Sequence, residues 1–132
     1  MAKSTFAHNS VACGAPELAL RELDALLAQT GSLVSLERAA LDLERSLGRI
    51  DAALARLERV GPHWGAPHQV HVERAELFER SGRRLDACAE LSEALLLLES
   101  EPESRRATSA HRDLESRVRE RLAALQPEVA AR

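Results

Sequence analysis

Three glycines recur at a constant spacing in this chain of 132 residues. Gly14, Gly48 and Gly82 are 34 residues apart each time. An alanine follows each glycine by five positions, a leucine by nine and an apolar residue by twelve: Ala19, Ala53 and Ala87; Leu23, Leu57 and Leu91; Leu26, Val60 and Ala94. A period of this length is typical of helical repeat proteins, in which each repeat is one helix-turn-helix unit.

These offsets have a structural interpretation. Positions five, nine and twelve after a glycine lie on one face of a helix, and the glycine suits the tight turn between antiparallel helices. Composition agrees, because Ala and Leu are abundant, Tyr is absent and only Phe6, Phe78 and Trp64 are aromatic. Residues that favour helices therefore outnumber those that favour strands. The sequence predicts an all-α protein with a single domain.

Prolines and glycines mark the helix boundaries. Proline is favoured in the first turn of a helix and glycine just after its end. These signals predict helices over residues 16–30, 33–47, 49–60, 67–81, 84–100 and 103–125. Residues 3–12 would complete a first, short and polar helix before Gly14.

The third copy, "HVERAELFERSGRRLDACAELSEALLLL", resembles the tetratricopeptide repeat (TPR). Small, aromatic, glycine and bulky residues stand where that family places them: Ala75, Phe78, Gly82, Ala87, Leu91 and Ala94. The second copy is aligned by treating Leu47 as one extra residue before Gly48, and the first copy fits only from Gly14 onward. The resemblance implies a right-handed α-solenoid of stacked antiparallel hairpins, with repeats at about 1–33, 34–67 and 68–101.

The segment 103–125 has the pattern of a capping helix. Apolar residues follow i, i+3, i+4 spacing on one face, while arginines occupy much of the remainder. A stacked array ends in an apolar face that such a helix would cover. We therefore predict one TPR-like domain over residues 1–125 and a flexible tail over 126–132.

The TPR resemblance also implies a function. In that family the first helix of each hairpin lines a concave groove that binds a peptide or protein segment. The alignment carries this role to Val34, Glu37, Leu41, Glu44 and Arg45 in the second copy and to Gln69, Val72, Glu76, Glu79 and Arg80 in the third. We expect a non-catalytic scaffold or adaptor without a cofactor.

Four of these ten residues are glutamates and two are arginines. The groove is therefore expected to be acidic with apolar positions, and its partner to carry basic and apolar residues. An intramolecular alternative is that the Arg-rich final helix itself faces these glutamates, in which case their acidity is a feature of packing.

The stretch "GPHWGAPHQVH" holds three of the five histidines, His63, His68 and His71. His68 and His71 are about one helical turn apart, so both could reach one metal ion. Structural zinc normally takes four ligands, and only Cys88, brought near by a hairpin, would add another. We expect a corner between repeats without metal, and keep a metal-binding sensor as an alternative.

The leucine run from Leu95 to Leu98 spreads around more than half of a helix. Packing by its own hairpin and by the capping helix would cover it. The alternative is that the chain is a self-assembling module, a homo-oligomer formed through this helix and the cap.

Other classes of protein are disfavoured. A net charge of -3 argues against nucleic-acid binding, and no apolar run approaches the roughly 20 residues that cross a bilayer. No nucleophile elbow or phosphate-binding glycine loop is present, so no enzyme is predicted. Cys13 and Cys88 are expected to be reduced thiols of a bacterial cytoplasmic protein, while "VACG" leaves a lipoprotein or periplasmic protein as the alternative.

Overall fold

The computed structural model describes residues 15–64 and 66–126. Its helices are α1 (Pro16–Thr30), α2 (Val34–Ser46), α3 (Ile50–Val60), α4 (Pro67–Arg80), α5 (Arg84–Glu99), α6 (Glu103–Arg106) and α7 (Ser109–Leu125), with a 3₁₀ turn at Gly61–His63. These residues contain no strand, and the predicted all-α class is confirmed. The helix predicted over 3–12, the turn at Gly14 and residues 127–132 of the tail lie outside the described residues.

Gly48 and Gly82 end α2 and α4 in the same way. Both have a positive φ, 73° and 78°, which glycine adopts most readily because it has no Cβ. In each turn two backbone N–H groups donate back to helix carbonyls: Gly48 to Arg45, Arg49 to Glu44, Gly82 to Glu79 and Arg83 to Phe78. This is the glycine-terminated Schellman ending.

The equivalence of the two turns corrects the alignment of the second copy. Each bonded residue in the first turn has its counterpart 34 positions later, so Leu47 takes the place of Ser81 and is not an extra residue. The offset between α2 and α4 is therefore 34 near the turn. The alignment used for the groove residues carried an offset of 35.

The chain divides into two compact units, Met1–Trp64 and Gly65–Arg132. In the first unit α1 packs on α2, and α2 packs on α3. Leu20, Leu23 and Ala40 form a small apolar cluster there. The repeat alanines Ala19 and Ala53 are both 0% exposed, which leaves no room for a larger side chain.

The second unit has an apolar core of its own. α5 packs against both α4 and α7. The buried apolar cluster of the second unit contains residues of α4, α5 and α7: Ala75, Ala87, Leu91, Leu98, Val118 and Leu125. Four of these side chains are 0% exposed: Ala75, Ala87, Leu91 and Leu98. The apolar face of α7 therefore completes the core of this unit.

The segment 103–125 forms two helices and not the single predicted one. α6 ends at Arg106, and Thr108 begins α7 as its N-cap, with its hydroxyl accepting from the backbone N–H of His111 at 3.2 Å. Threonine is a favoured N-cap residue, so the sequence carried a signal for this break. No helix of the described residues is both long and apolar enough to cross a membrane.

Candidate partner-binding surfaces

Three of the five groove residues predicted on α2 are buried. Leu41, Glu37 and Glu44 are 1%, 3% and 6% exposed, so a partner cannot reach them without a change in the packing of this unit. Val34 is 54% exposed and Arg45 is partly exposed. The predicted surface is therefore incorrect over most of α2.

The offset of 34 gives a different set of α2 residues. Moving each predicted α4 groove residue back by 34 positions leads to Ser35, Arg38, Asp42, Arg45 and Ser46, none of which is buried. Successive helix residues are about 100° apart around the axis, so an error of one residue turns the assigned face by that angle. This rotation explains why the original assignment fell on buried side chains.

Arg56 on α3 binds the buried carboxylates of α2. Its guanidinium donates to Glu44 at 2.8 and 3.2 Å, to Glu37 at 2.5 Å and to Asp24 of α1 at 3.0 Å. The Ser32 hydroxyl donates to the second oxygen of Glu37 at 2.9 Å. Burial lowers the pKa of Arg56, but the hydrogen bonds from Arg56 to the three carboxylates outweigh burial and raise the pKa. The network joins all three helices of the first unit.

Sequence reasoning missed Arg56, although the pattern contains a signal for it. Ala53, Leu57 and Val60 form the buried face of α3, and Arg56 lies on that same face. An arginine within an apolar face is seldom buried without a partner. Glutamates on the preceding helix were therefore candidates to bind it and to be buried with it.

On α4, none of the five predicted groove residues is buried, although Val72 and Glu79 have contacts within the unit. Gln69 and Glu76 are partly exposed and Arg80 is exposed. Val72 packs against the core of the second unit. Glu79 binds Arg121 of α7.

These contacts remove most of the support for a basic partner. Glu37 and Glu44 bind Arg56, and Glu79 binds Arg121. Carboxylates that are paired within the chain contribute little net charge to attract a ligand. The intramolecular alternative accounts for Glu79, because its partner belongs to the Arg-rich final helix. The fourth glutamate, Glu76, lies 3.7 Å from Arg80.

One histidine of the "GPHWGAPHQVH" stretch, His71, has a side-chain partner within the second unit, and His68 is partly buried. His71 Nδ1 lies 2.8 Å from Glu90 Oε1. Burial lowers the pKa of His68, nearby Glu101 raises it and the charge of His111 lowers it further. Within residues 15–64 and 66–126, no group of three or more His, Cys, Asp or Glu side chains is placed to hold a metal ion. The structure thus offers the metal-sensor alternative no site there.

A buried carboxylate, Glu115, organises the polar side of α7. Its Oε1 accepts from Arg106 at 3.2 Å and lies 2.9 Å from His111 Nε2, while its Oε2 lies 3.2 Å from Arg119. His111 Nε2 is also 3.0 Å from the carbonyl oxygen of Leu98. The hydrogen bond from Arg106 is the main cause of the lowered pKa of Glu115, and it outweighs burial, which acts in the opposite direction.

The leucine run of α5 is only partly covered in the second unit. Leu98 is fully buried and Leu95 packs against the core. Leu96 is 58% exposed, and Leu85 near the start of the same helix is 68% exposed. Large apolar side chains at these two positions are available for association.

The fold is that of an all-α, TPR-like protein, and solved structures share it. No family model matches the chain, and no curated protein matches it. The chain is similar to the type III secretion translocator chaperone SycD of Yersinia enterocolitica, with a TM-score of 0.70 and 19% identity, covering 97% of this chain and 83% of SycD.

A second similar structure is PcrH in complex with the chaperone binding region of PopD. Its TM-score is 0.69 at 18% identity, and the match covers 96% of this chain and 90% of PcrH. At this level of identity the two structures show which fold the chain has. Its fold is the TPR-like all-helical fold of these chaperones.

Proposed function

We propose that this chain is a non-catalytic chaperone or adaptor that binds a segment of another protein. The observation that carries the proposal is the fold shared with PcrH over 96% of the chain, since PcrH was solved with a binding region of another protein. We also propose that the chain is a TPR protein and that it is located in the cytoplasm.

The exposed faces of the first helices supply the residues for this role. On α2 the accessible positions that match the α4 face include Ser35, Arg38 and Asp42, and Val34 adds an exposed apolar side chain at the start of the helix. On α4 they include Gln69 and Arg80. We therefore propose that contacts to these faces select the segment by hydrogen bonds and mixed charges, without a requirement for a basic partner.

Photocrosslinking in the native host would test this assignment. A photoreactive amino acid replaces Ser35 or Gln69, which are equivalent positions on α2 and α4. Matched controls carry it at Ala55 or Ala89, exposed equivalents on α3 and α5. We expect one defined protein to be captured from the first pair and not from the second. Equal capture from both pairs, or none from the first, would contradict the proposal.

Self-association is a second candidate, favoured by the exposure of Leu85 and Leu96. Light scattering of the purified chain would give its mass. A dimer that becomes a monomer when both leucines are changed to Glu would support association through α5. A monomeric wild type would remove this candidate without affecting the first.

A further inference from the structure

A cleft in the second unit is lined by none of the residues assigned above to segment binding. It lies between α6 and α7 and has a volume of about 490 Å³. Three arginines, two glutamates, a serine and an alanine line it: Arg106, Arg112, Arg119, Glu103, Glu115, Ser116 and Ala107. The lining therefore combines several hydrogen-bond donors with apolar side-chain surface.

Several of these donors have no acceptor among the residues that the structure describes. The side chain of Arg112 makes neither a hydrogen bond nor an ion pair there, and the Ser116 hydroxyl makes no hydrogen bond. Arg106 donates to Glu115 through Nε, which leaves its two terminal nitrogens without a partner in the same residues. These groups can donate to an added ligand without breaking an existing contact.

Glu115 positions two of the arginines and does not compete for the ligand. Its side chain is 7% exposed, and its two oxygens are occupied by Arg106 and Arg119, with His111 also close. The lowered pKa keeps this carboxyl ionised at neutral pH. Arg106 and Arg119 are thus fixed before any ligand arrives, which lowers the entropic cost of binding.

The charge of the cleft indicates the class of ligand. Arg106 is paired with Glu115, and Arg119 is paired with Glu115 and with Glu99 at 2.8 Å, so Arg112 is the arginine of the cleft without an ion pair in the described residues. Guanidinium groups present planar pairs of donors that match the two oxygens of a carboxylate. We propose that this cleft binds a single carboxylate, held by Arg112 and the free nitrogens of Arg106. A Glu or Asp side chain of a bound protein, a chain terminus and a small organic acid share this chemistry.

NMR of the full-length chain can test the site through the arginine Nε–H signals. The probes are a short blocked peptide with one Glu, the same peptide with Gln, sodium acetate and inorganic phosphate. We expect saturable shifts at Arg106 and Arg112 with the Glu peptide, with a dissociation constant on the order of 1 mM, and none with the Gln peptide. If acetate binds as tightly as the Glu peptide, the natural ligand is a free organic acid. If acetate binds more weakly than the Glu peptide, the natural ligand is a carboxylate of a protein.

Matched variants separate the cleft from general charge effects. Arg112→Gln should lower the affinity for the Glu peptide by about fivefold or more, because it removes the unpaired guanidinium. Arg117→Gln makes the same charge change on an exposed part of α7 outside the cleft and should leave binding unchanged. Ser116→Ala should give a smaller loss than Arg112→Gln.

Three results would overturn the proposal. Equal weakening by Arg117→Gln would show a nonspecific effect of charge. Identical shifts with the Glu and Gln peptides would show that no carboxylate is recognised. Tighter binding of phosphate than of the Glu peptide would reject a site for one carboxylate. Arg112 and Arg117 are both exposed, so we expect both Gln variants to fold. Their helical content, measured by circular dichroism, should equal that of the wild type.

Discussion

The two units of this chain stabilise equivalent helical hairpins in different ways. In the first, a buried arginine and two buried glutamates join α2 and α3 and are buried together with apolar residues such as Leu41 and Leu57. In the second, α4 and α5 enclose leucines and alanines, and α7 completes the core. An ion network depends on every partner being present, whereas an apolar core loses stability in proportion to the area exposed. The same turn geometry therefore supports two apolar interiors, of which only the first includes a buried arginine with its carboxylate partners, and the two should respond differently to change.

The largest effect is expected when the second unit loses its last helices. A chain that stops after residue 101 would uncover apolar side chains now packed by Val118 and Leu125, and each buried side chain of this kind contributes about 1.5–3 kcal/mol. Exposed apolar patches promote association. We expect aggregation or binding of a hydrophobic dye, measured by light scattering and fluorescence. An unchanged monomer would show that α7 is not needed by the core.

Removing Arg56 should have the largest single-residue effect in the first unit. Arg56→Met leaves Glu37 and Glu44 buried without their partner, a change that typically costs about 3–5 kcal/mol. Hydrogen exchange should show lost protection across α1 to α3, with less change in α4 to α7. Arg59→Met is the control, since the Arg59 side chain is 63% exposed and lies 3.7 Å from Glu37.

A triple variant would sharpen the same comparison. Arg56→Met combined with Glu37→Leu and Glu44→Leu replaces the network by apolar side chains. Such replacements of buried ion pairs are often neutral or stabilising, so we expect most of the lost stability to return. A triple variant as unstable as Arg56→Met would mean that the network holds a backbone arrangement that apolar residues cannot reproduce.

The difference between the units also shows what the sequence could predict. Helix positions follow from local signals, and the bounds of α1 agree with the prediction at both ends. Whether Glu37 and Glu44 are buried depends on Arg56, which is 19 and 12 residues away in the sequence. It also depends on which face of α2 packs against α3. A one-residue error in register was enough to place buried side chains on a binding surface. Local pattern therefore predicts the helices better than it predicts which face binds.

The repeat alanines allow one change to be made in both units. Ala53→Leu and Ala87→Leu place a larger side chain at positions that are 0% exposed, and overpacking of this kind costs about 1–3 kcal/mol. The melting temperature should fall in both variants. Ala55→Leu and Ala89→Leu, at exposed equivalents on the same helices, should leave it nearly unchanged. Neutral results at Ala53 and Ala87 would contradict their equivalence in the repeat.

The smallest effect is expected from Glu115, and it depends on pH. Because its pKa in the folded chain is lowered from the ordinary 4.5, the unfolded chain binds the proton more readily. The contribution of this carboxyl to stability is therefore fully present above about pH 4.5 and is lost as pH falls through the folded pKa. Glu115→Gln should reduce stability at neutral pH and make its decline between about pH 5 and 3 less steep.

Urea unfolding at a series of pH values would measure this difference. Glu120→Gln is the matched control, because Glu120 is exposed on the same helix and makes no ion pair with any residue in the described part of the chain. Its pH profile should follow that of the wild type. Parallel profiles for wild type and Glu115→Gln would mean that Arg106 and Arg119 do not stabilise the ionised carboxyl. They would also remove the reason for regarding Glu115 as the residue that positions the arginines of the cleft.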